Sequence, residues 1–354
     1  MKHFFIVIII LLALLGLALL NSQRKTPGVI PEPAPKNAVP VFPPVAPDKK
    51  LILTYYFYWY DAESGEHLQL ETLKHTPPNN PAPSWKNIDW HKKELADMRI
   101  AGIDVVLPVY WGFSNTKDKW SFNGLTKISQ AWQELKNEGQ NPPLIGMMFD
   151  TTIINNQDLT TPERKEFFYS NIKDFFNRIP THQRALINNK PVIFLFTSQY
   201  TAKFDQSIFD FVYQQFEKDF GVKPYIVREV SWDYPILRWE KGNWIRDYQN
   251  PIKTENSYLW DAAYHGYVDY GGVAAVGPGY DDRHLPDRKG GRQTDRQNGE
   301  FYKQNFEKAL ASKKPLIVIE TWNEFHEGSG ISETLEFKRQ YIDLTKEFST
   351  RFHK

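Results

Sequence analysis

Beyond residue 50, short runs of apolar residues alternate with amphipathic segments all the way to the C-terminus. An unbroken apolar run has no face to offer water, so a strand made of it must be covered on both sides. Successive βα units achieve this by laying helices over a parallel sheet. The runs read as strands at 51–60, 103–110, 144–149, 192–196, 225–230, 258–263, 273–276 and 316–320. Eight is the strand number of a (β/α)8 TIM barrel, and an α/β fold of that type is the expectation for residues 51–354.

The segments between these runs carry helix signals. Asp89 stands as the N-cap of a helix that turns Leu95 and Met98 inward and stops at Gly102. Ile128, Ala131, Trp132 and Leu135 recur at helical spacing before Gly139. Thr161-Pro162 opens a helix that buries Phe168, Ile172 and Phe175, and residues 208–220 form another, closed by Gly221. The Gly/Asp/Arg-rich stretch 277–299 exceeds an ordinary connector, a length that functional loops reach.

Residues 1–50 are organised differently. Residues 4–20 are continuously apolar, with Lys2 and His3 before them and Arg24 and Lys25 after. At about 1.5 Å per residue such a helix spans roughly 25 Å, short for a membrane span and long for a signal peptide's apolar region. Residues 1–25 are therefore expected to be a signal peptide or a signal anchor. Leu19 and Leu20 before Asn21 make a poor cleavage site and favour the anchor; a membrane is a partner only if the segment stays uncleaved. Either way the following domain is exported, to be membrane-anchored outside the cytoplasm or released. Residues 26–50 hold eight prolines between Pro27 and Pro47 and read as a semi-rigid linker.

Charge and composition narrow the function. Lys+Arg 43 against Asp+Glu 42 leaves no basic footprint, so no nucleic-acid partner is expected. Without cysteine there is no disulfide, thiolate nucleophile or Cys-ligated zinc. Aromatic residues reach 15%, with 11 Trp and 18 Tyr, more than a core of this size needs. Amphipathic rings at a wet surface suit a carbohydrate, whose CH faces stack on them.

Catalytic groups of a parallel barrel sit where strands end. Those ends carry Trp59, Tyr60 and Asp61; Tyr110 and Trp111; Asp150; Glu229 and Trp232; Asp261; Tyr280, Asp281, Asp282 and Arg283; and the run from Glu320 to Glu327. Breaking a glycosidic bond takes two carboxyl groups in unlike environments, one protonated and one ionised. Glu324 and Glu327 share one face if their loop makes a helical turn. Asn323 and His326 add hydrogen-bonding groups, and Trp322 is expected to supply an apolar wall that raises one carboxyl pKa. His326-Glu327 has no second His four residues on, Gly330 standing there, so no metal and no cofactor is expected. Asp281-Asp282-Arg283 reads equally well as a structural salt bridge, and Asp150 and Glu229 equally well as structural acids.

The run from Glu320 to Gly328, Glu-Thr-Trp-Asn-Glu-Phe-His-Glu-Gly, resembles the Trp-Asn-Glu-Trp-His-Glu-Gly signature of family 99 glycoside hydrolases, the endo-α-mannosidases and endo-α-mannanases. Residues 55–61, 94–112, 189–193 and 278–283 are similar to the same superfamily, and the nearest resemblance is to a bacterial domain-of-unknown-function family numbered 5010. The resemblance implies a retaining mechanism in which Glu324 assists attack by the substrate's own 2-hydroxyl and Glu327 acts as general acid, then base. Trp59, Tyr60, Asp61, Tyr110, Trp111, Asp150, Glu229, Trp232, Tyr280, Asp281, Asp282, Arg283, Trp322, Asn323 and His326 are then the candidates for substrate contact. Phe325 stands where the family has Trp, and Ser329-Gly330-Ile331-Ser332-Glu333 where it has Thr-Gln-Ile-Glu-Pro, so the sugar is left open. Two other readings stand beside this one. The first is a catalytically silent glycan-binding or polysaccharide-assembly protein on the same barrel. The second is a conventional two-carboxylate hydrolase using Asp150 or Glu229.

Overall fold

A computed structural model describes residues 43–113, 119–241, 243–286, 288 and 290–354. The apolar segment 4–20 and the linker up to residue 42 lie outside the described residues. Among the described residues no helix is long and apolar enough to cross a membrane.

Eight parallel strands form the frame: β1 (Leu51–Tyr56), β2 (Val105–Tyr110), β3 (Met147–Phe149, preceded by the short piece Leu144–Ile145), β4 (Lys190–Leu195), β5 (Tyr225–Glu229), β6 (Asn256–Tyr258), β7 (Val273–Val276) and β8 (Leu316–Ile319). Each pairs with the next in chain order from β1 to β6, β7 pairs with β8, and β8 returns to β1 with Leu51 opposite Leu316 and Thr54 opposite Ile319. β1, β2 and β8 are buried along their whole length, as the unbroken apolar runs require. The sheet is a nearly closed barrel; only the β6–β7 seam lacks a ladder among the described residues. There the edge of β7 is taken by an antiparallel strand, Val268–Tyr270.

Helices α1 (Ile88–Ala101), α2 (Lys119–Asn137), α3 (Pro162–Arg178) and α4 (Gln206–Phe220) follow β1 to β4, and α5 (Glu300–Ala311) and α6 (Gln340–Phe352) follow β7 and β8. α1 is capped by Asn87, whose side chain accepts from the Asp89 N–H, so Asp89 lies in the first turn rather than at the cap. Its buried Leu95 and Met98 each contribute about 1.5–3 kcal/mol of apolar burial, and Gly102, at φ 80, ends it. The regular βα alternation fails twice. After β5 a hairpin of Ile236–Glu240 and Asn243–Arg246 replaces the helix, and after β6 only Ala262–His265 is helical.

Two strands end earlier than their composition suggests. Residues 57–60, expected to continue β1, leave the ladder after Tyr56, and residues 259–263 turn into the short helix instead of extending β6. The long stretch 277–299 is partly ordered by the antiparallel pair Tyr280–Asp281 and Gln293–Thr294.

Candidate active site

The loop leaving β8 is built on its neighbour β1. Trp322 N donates to Tyr55 O at 2.8 Å, extending the ladder by one step. The Asn323 side chain then pairs with a backbone: its Oδ1 accepts from Phe57 N at 2.8 Å and its Nδ2 donates to Phe57 O at 2.7 Å. This amide does for residues 57–60 what a strand partner would do, and it brings their rings against the loop. Tyr60 donates to Asn323 O at 2.9 Å and accepts from Phe325 N at 3.1 Å. On the far side, Arg296 donates to the Gly328 and Gly330 carbonyls at 2.7 Å each. No side chain fits at Gly330, where a Cβ would stand 2.9 Å from the Trp322 carbonyl oxygen.

Glu324 and Glu327 sit on this loop in unlike surroundings. Glu324 is buried, and its Oε1 accepts from His326 N at 2.9 Å and from His326 Nδ1 at 3.0 Å. Burial works against the imidazolium, but the bond to Glu324 and its charge outweigh that and raise the His326 pKa. Glu327 opens toward the barrel mouth while protein surrounds its depth. Burial first, and the Glu324 charge second, push it up to about 7, against opposition from Arg288 and a hydrogen bond from Tyr280. Arg288 lies 3.0 Å from Glu327 Oε1. One carboxyl of the pair is thus held in reach of protonation near neutrality, while the other accepts two N–H bonds.

The aromatic residues of the other strand ends meet this pair. His326 lies 5.6 Å from the Tyr60 ring, nearly parallel, and 6.1 Å from Trp59, which in turn contacts Trp111 edge to face at 5.8 Å. Trp111 donates through Nε1 to Asp150 at 2.5 Å. Burial raises the Asp150 pKa, with the Thr152 and Trp111 hydrogen bonds working against it. Deeper in the barrel stand Glu229, raised to about 7 by burial, and Glu320, raised well above the usual carboxylate range by burial and by Asp261. Glu229 accepts from Ser231 N at 2.8 Å, and Glu320 from the Asp261 and Ala262 amides at 2.9 and 2.7 Å. Asp282 accepts from Tyr280 at 3.0 Å and from Arg292 N at 2.5 Å within the 277–299 loop, and Asp281 N donates to Glu327 O at 2.8 Å, tying that loop to the one that carries the pair.

Several residues at the strand ends point elsewhere. Tyr110 faces α3, bonding Asp174 and packing on Phe175. Trp232 is fully buried among Phe168, Phe204 and Phe209, with Nε1 on Phe196 O. The Trp322 ring leaves the barrel on the α1 side and donates to Glu94, so the apolar wall expected of it beside the acids is absent; burial and the neighbouring carboxylate raise Glu327 instead. Strand alternation explains the Tyr110 case, since an odd step along β2 reverses the face, whereas Trp322 lies beyond the end of β8 and is turned by the loop. Asp61 is spent on its own loop, accepting from Ser64, Ser84 and Lys86 at 2.8 Å each. Burial opposes its charge, but these donors bring its pKa down to about 2. Asp281 is gripped by Arg283 and Lys74, the salt-bridge alternative, and is held well below the usual range by Arg283 above all.

Other residues join the site without a sequence signal strong enough to single them out. His67 stacks on Trp59 at 5.2 Å, and Tyr55 packs on Trp260 at 4.8 Å beneath the mouth. Arg288 could have been suspected only from its place in an overlong loop. Among the described residues no His, Asp and Glu side chains converge as a set of metal ligands.

A family model described as "Domain of unknown function (DUF5010)" matches residues 52–354. Among solved structures, a GH99 endo-alpha-mannosidase from Bacteroides thetaiotaomicron is 15% identical, with a TM-score of 0.60 over 85% of this chain and 96% of that one. A glycoside hydrolase-like protein is 14% identical, with a TM-score of 0.61 over 89% of this chain and 97% of that one. At such identities the likeness is one of fold. A glycoprotein endo-alpha-1,2-mannosidase-like protein of Danio rerio is 28% identical over 96 residues, covering 23% of this chain and 22% of that relative. The match thus spans about a fifth of the relative's length.

Proposed function

We propose that this chain, which belongs to the DUF5010 family, is a glycosidase that cleaves an envelope or extracellular glycan with Glu324 and Glu327 as its reacting pair. One observation carries the reading: two carboxyls on one turn of the β8 loop, of which Glu327 is pushed to about 7 while Glu324 accepts two N–H bonds from His326. That asymmetry is what a general acid and its partner need. The likeness in fold to a GH99 endo-alpha-mannosidase and the partial match to a mannosidase-like relative support an α-mannoside or a related sugar as the first substrate to try.

In the mechanism we favour, the Glu324 carboxylate takes the proton of the sugar's 2-hydroxyl as that oxygen attacks C1, and Glu327 gives its proton to the departing glycosidic oxygen. A 1,2-anhydro sugar forms. Glu327, now ionised, takes a proton from water as the water oxygen opens the three-membered ring at C1, and the proton on Glu324 returns to the 2-oxygen. The configuration is retained. His326 orients the Glu324 carboxylate that takes this proton, and the partly exposed rings of Trp59 and Trp111 offer flat faces for the sugar, whereas Tyr60 is fully buried and supports the loop from beneath. We further propose that residues 1–25 export the domain and that the Pro-rich linker holds it off the membrane.

Screening the protein against α-mannans, other polysaccharides and aryl glycosides tests the activity. Turnover of any glycan supports it, whereas binding without turnover on every glycan would replace it with the silent-barrel reading. Cell fractionation tests the export: the protein is expected in the envelope or medium, and recovery of the full chain from the cytosol alone would reject it.

A further inference from the structure

The loop that carries Glu324 and Glu327 is fastened at both ends to one face of α1, outside the barrel. At the near end Trp322 Nε1 donates to Glu94 Oε2 at 2.5 Å, with Trp322 fully buried and Glu94 nearly so. At the far end Lys93 reaches Glu333 at 2.9 Å and Asp97 at 2.8 Å, and Arg339 reaches Asp97 at 2.7 Å. Lys93, Glu94 and Asp97 fall within one turn of the helix. None of these groups takes part in the chemistry set out above.

An indole N–H needs only one acceptor, and a neutral carbonyl would satisfy it. A carboxylate there is costly to bury, and burial indeed pushes Glu94 up to about 7, with Lys93 and the Trp322 bond holding it down. What the carboxylate adds is a charge-assisted bond, stronger than a neutral one. That bond holds the residue two positions before Glu324, at the point where the chain leaves the β1 ladder.

We propose that Glu94 is a positioning residue: by gripping the Trp322 ring from outside the barrel it sets the backbone from which Glu324 and Glu327 reach the mouth. The inference rests on the reading of those two glutamates as the reacting pair. A misplacement of about 1 Å at reacting groups can cost on the order of 100-fold in rate, so loosening the grip should be felt in turnover.

Three variants test this: Glu94→Leu, which removes the acceptor; Glu94→Gln, which keeps one; and Trp322→Phe, which removes the donor and carries the test if the leucine variant fails to fold. Two readouts are taken, amide hydrogen exchange by mass spectrometry and kinetics on an activated aryl α-mannobioside. Glu94→Leu and Trp322→Phe are expected to speed exchange in residues 320–333 and to lower kcat about 10- to 100-fold with KM changed less than about threefold. Glu94→Gln, whose amide oxygen still accepts but without the charge, is expected to fall between Glu94→Leu and wild type in both protection and turnover. Unchanged exchange in 320–333, exchange raised evenly over the whole barrel, or a rise in KM with kcat intact would each overturn the positioning role. If the wild-type protein leaves the mannobioside and every other glycan untouched, the catalytic reading fails. The exchange pattern still decides whether Glu94 holds the loop.

Discussion

Arg288 is the most informative residue to remove, because it is the cation beside the acid. Its guanidinium stands 3.0 Å from Glu327, with Arg288 46% and Glu327 25% exposed. Glu327 is pushed to about 7 by burial and by Glu324, and Arg288 works in the opposite direction. A general acid must carry its proton at the start of turnover, so kcat/KM should hold below pH about 7 and fall about tenfold per unit above it. Replacing Arg288 with methionine takes away the group that favours the ionised form. The Glu327 pKa then rises, and the alkaline limb moves to higher pH. The size follows from exposure: a partly exposed ion pair is worth about 0.2–1 kcal/mol, which is roughly 0.1–0.7 of a pH unit. Initial rates on an activated aryl glycoside from pH 5 to 9, for wild type and Arg288→Met, would show it. A limb that moves to lower pH, or a wild-type profile flat through pH 7, would refute the reasoning.

Two further predictions concern groups that structure alone explains. Glu229, buried and raised to about 7, binds a proton more tightly folded than unfolded, so its contribution favours folding below pH about 4.5 and is lost as pH rises through 7; Glu229→Gln should flatten that decline. The shift amounts to about 3 kcal/mol at most, read from urea midpoints at pH 5 and 8, and an unchanged difference between the two pH values would count against it. Asp61→Ala strips the acceptor from Ser64, Ser84 and Lys86 and should cost about 1–3 kcal/mol of stability while turnover per folded molecule stays within a few-fold, so a folded, fully stable variant with no activity would return Asp61 to the chemistry.

How far the sequence could be read depended on which physical signal each feature leaves. Strands buried on both faces must be apolar throughout, so β1, β2, β7 and β8 stood out by composition. Helix ends marked by Gly102 and Gly221 were legible because a left-handed φ favours glycine. The hairpin after β5 and the antiparallel strand before β7 were not, since Trp239, Trp244 and Tyr270 fit a half-buried helix as well as a strand. Nor does composition say which way a ring points. Trp232, Tyr110 and Trp322 all stand at strand ends, yet the pleat and the first turn of the loop send them outward, to Phe196, Asp174 and Glu94. Glu324 and Glu327 were legible because two acids beside His and Asn in a strand-end loop have few structural uses. Glu94 was not, because an acid on a helix reads as solvated surface until Trp322 is seen against it.

The central claim is that Glu324 and Glu327 divide the work of breaking a glycosidic bond, and leaving-group dependence in the two glutamine variants tests it most directly. Glu327→Gln keeps shape and polarity but removes the transferable proton. Cleavage of a natural glycosidic bond should fall about 100- to 10,000-fold, while an aryl glycoside with a good leaving group, which needs little protonation, should suffer much less at the bond-breaking step. Glu324→Gln should slow both substrates alike, because the 2-hydroxyl needs help whatever leaves. This crossed pattern is the expected result. Full activity of both variants on both substrates would contradict it and move the search for the reacting carboxyls to Asp150 and Glu229.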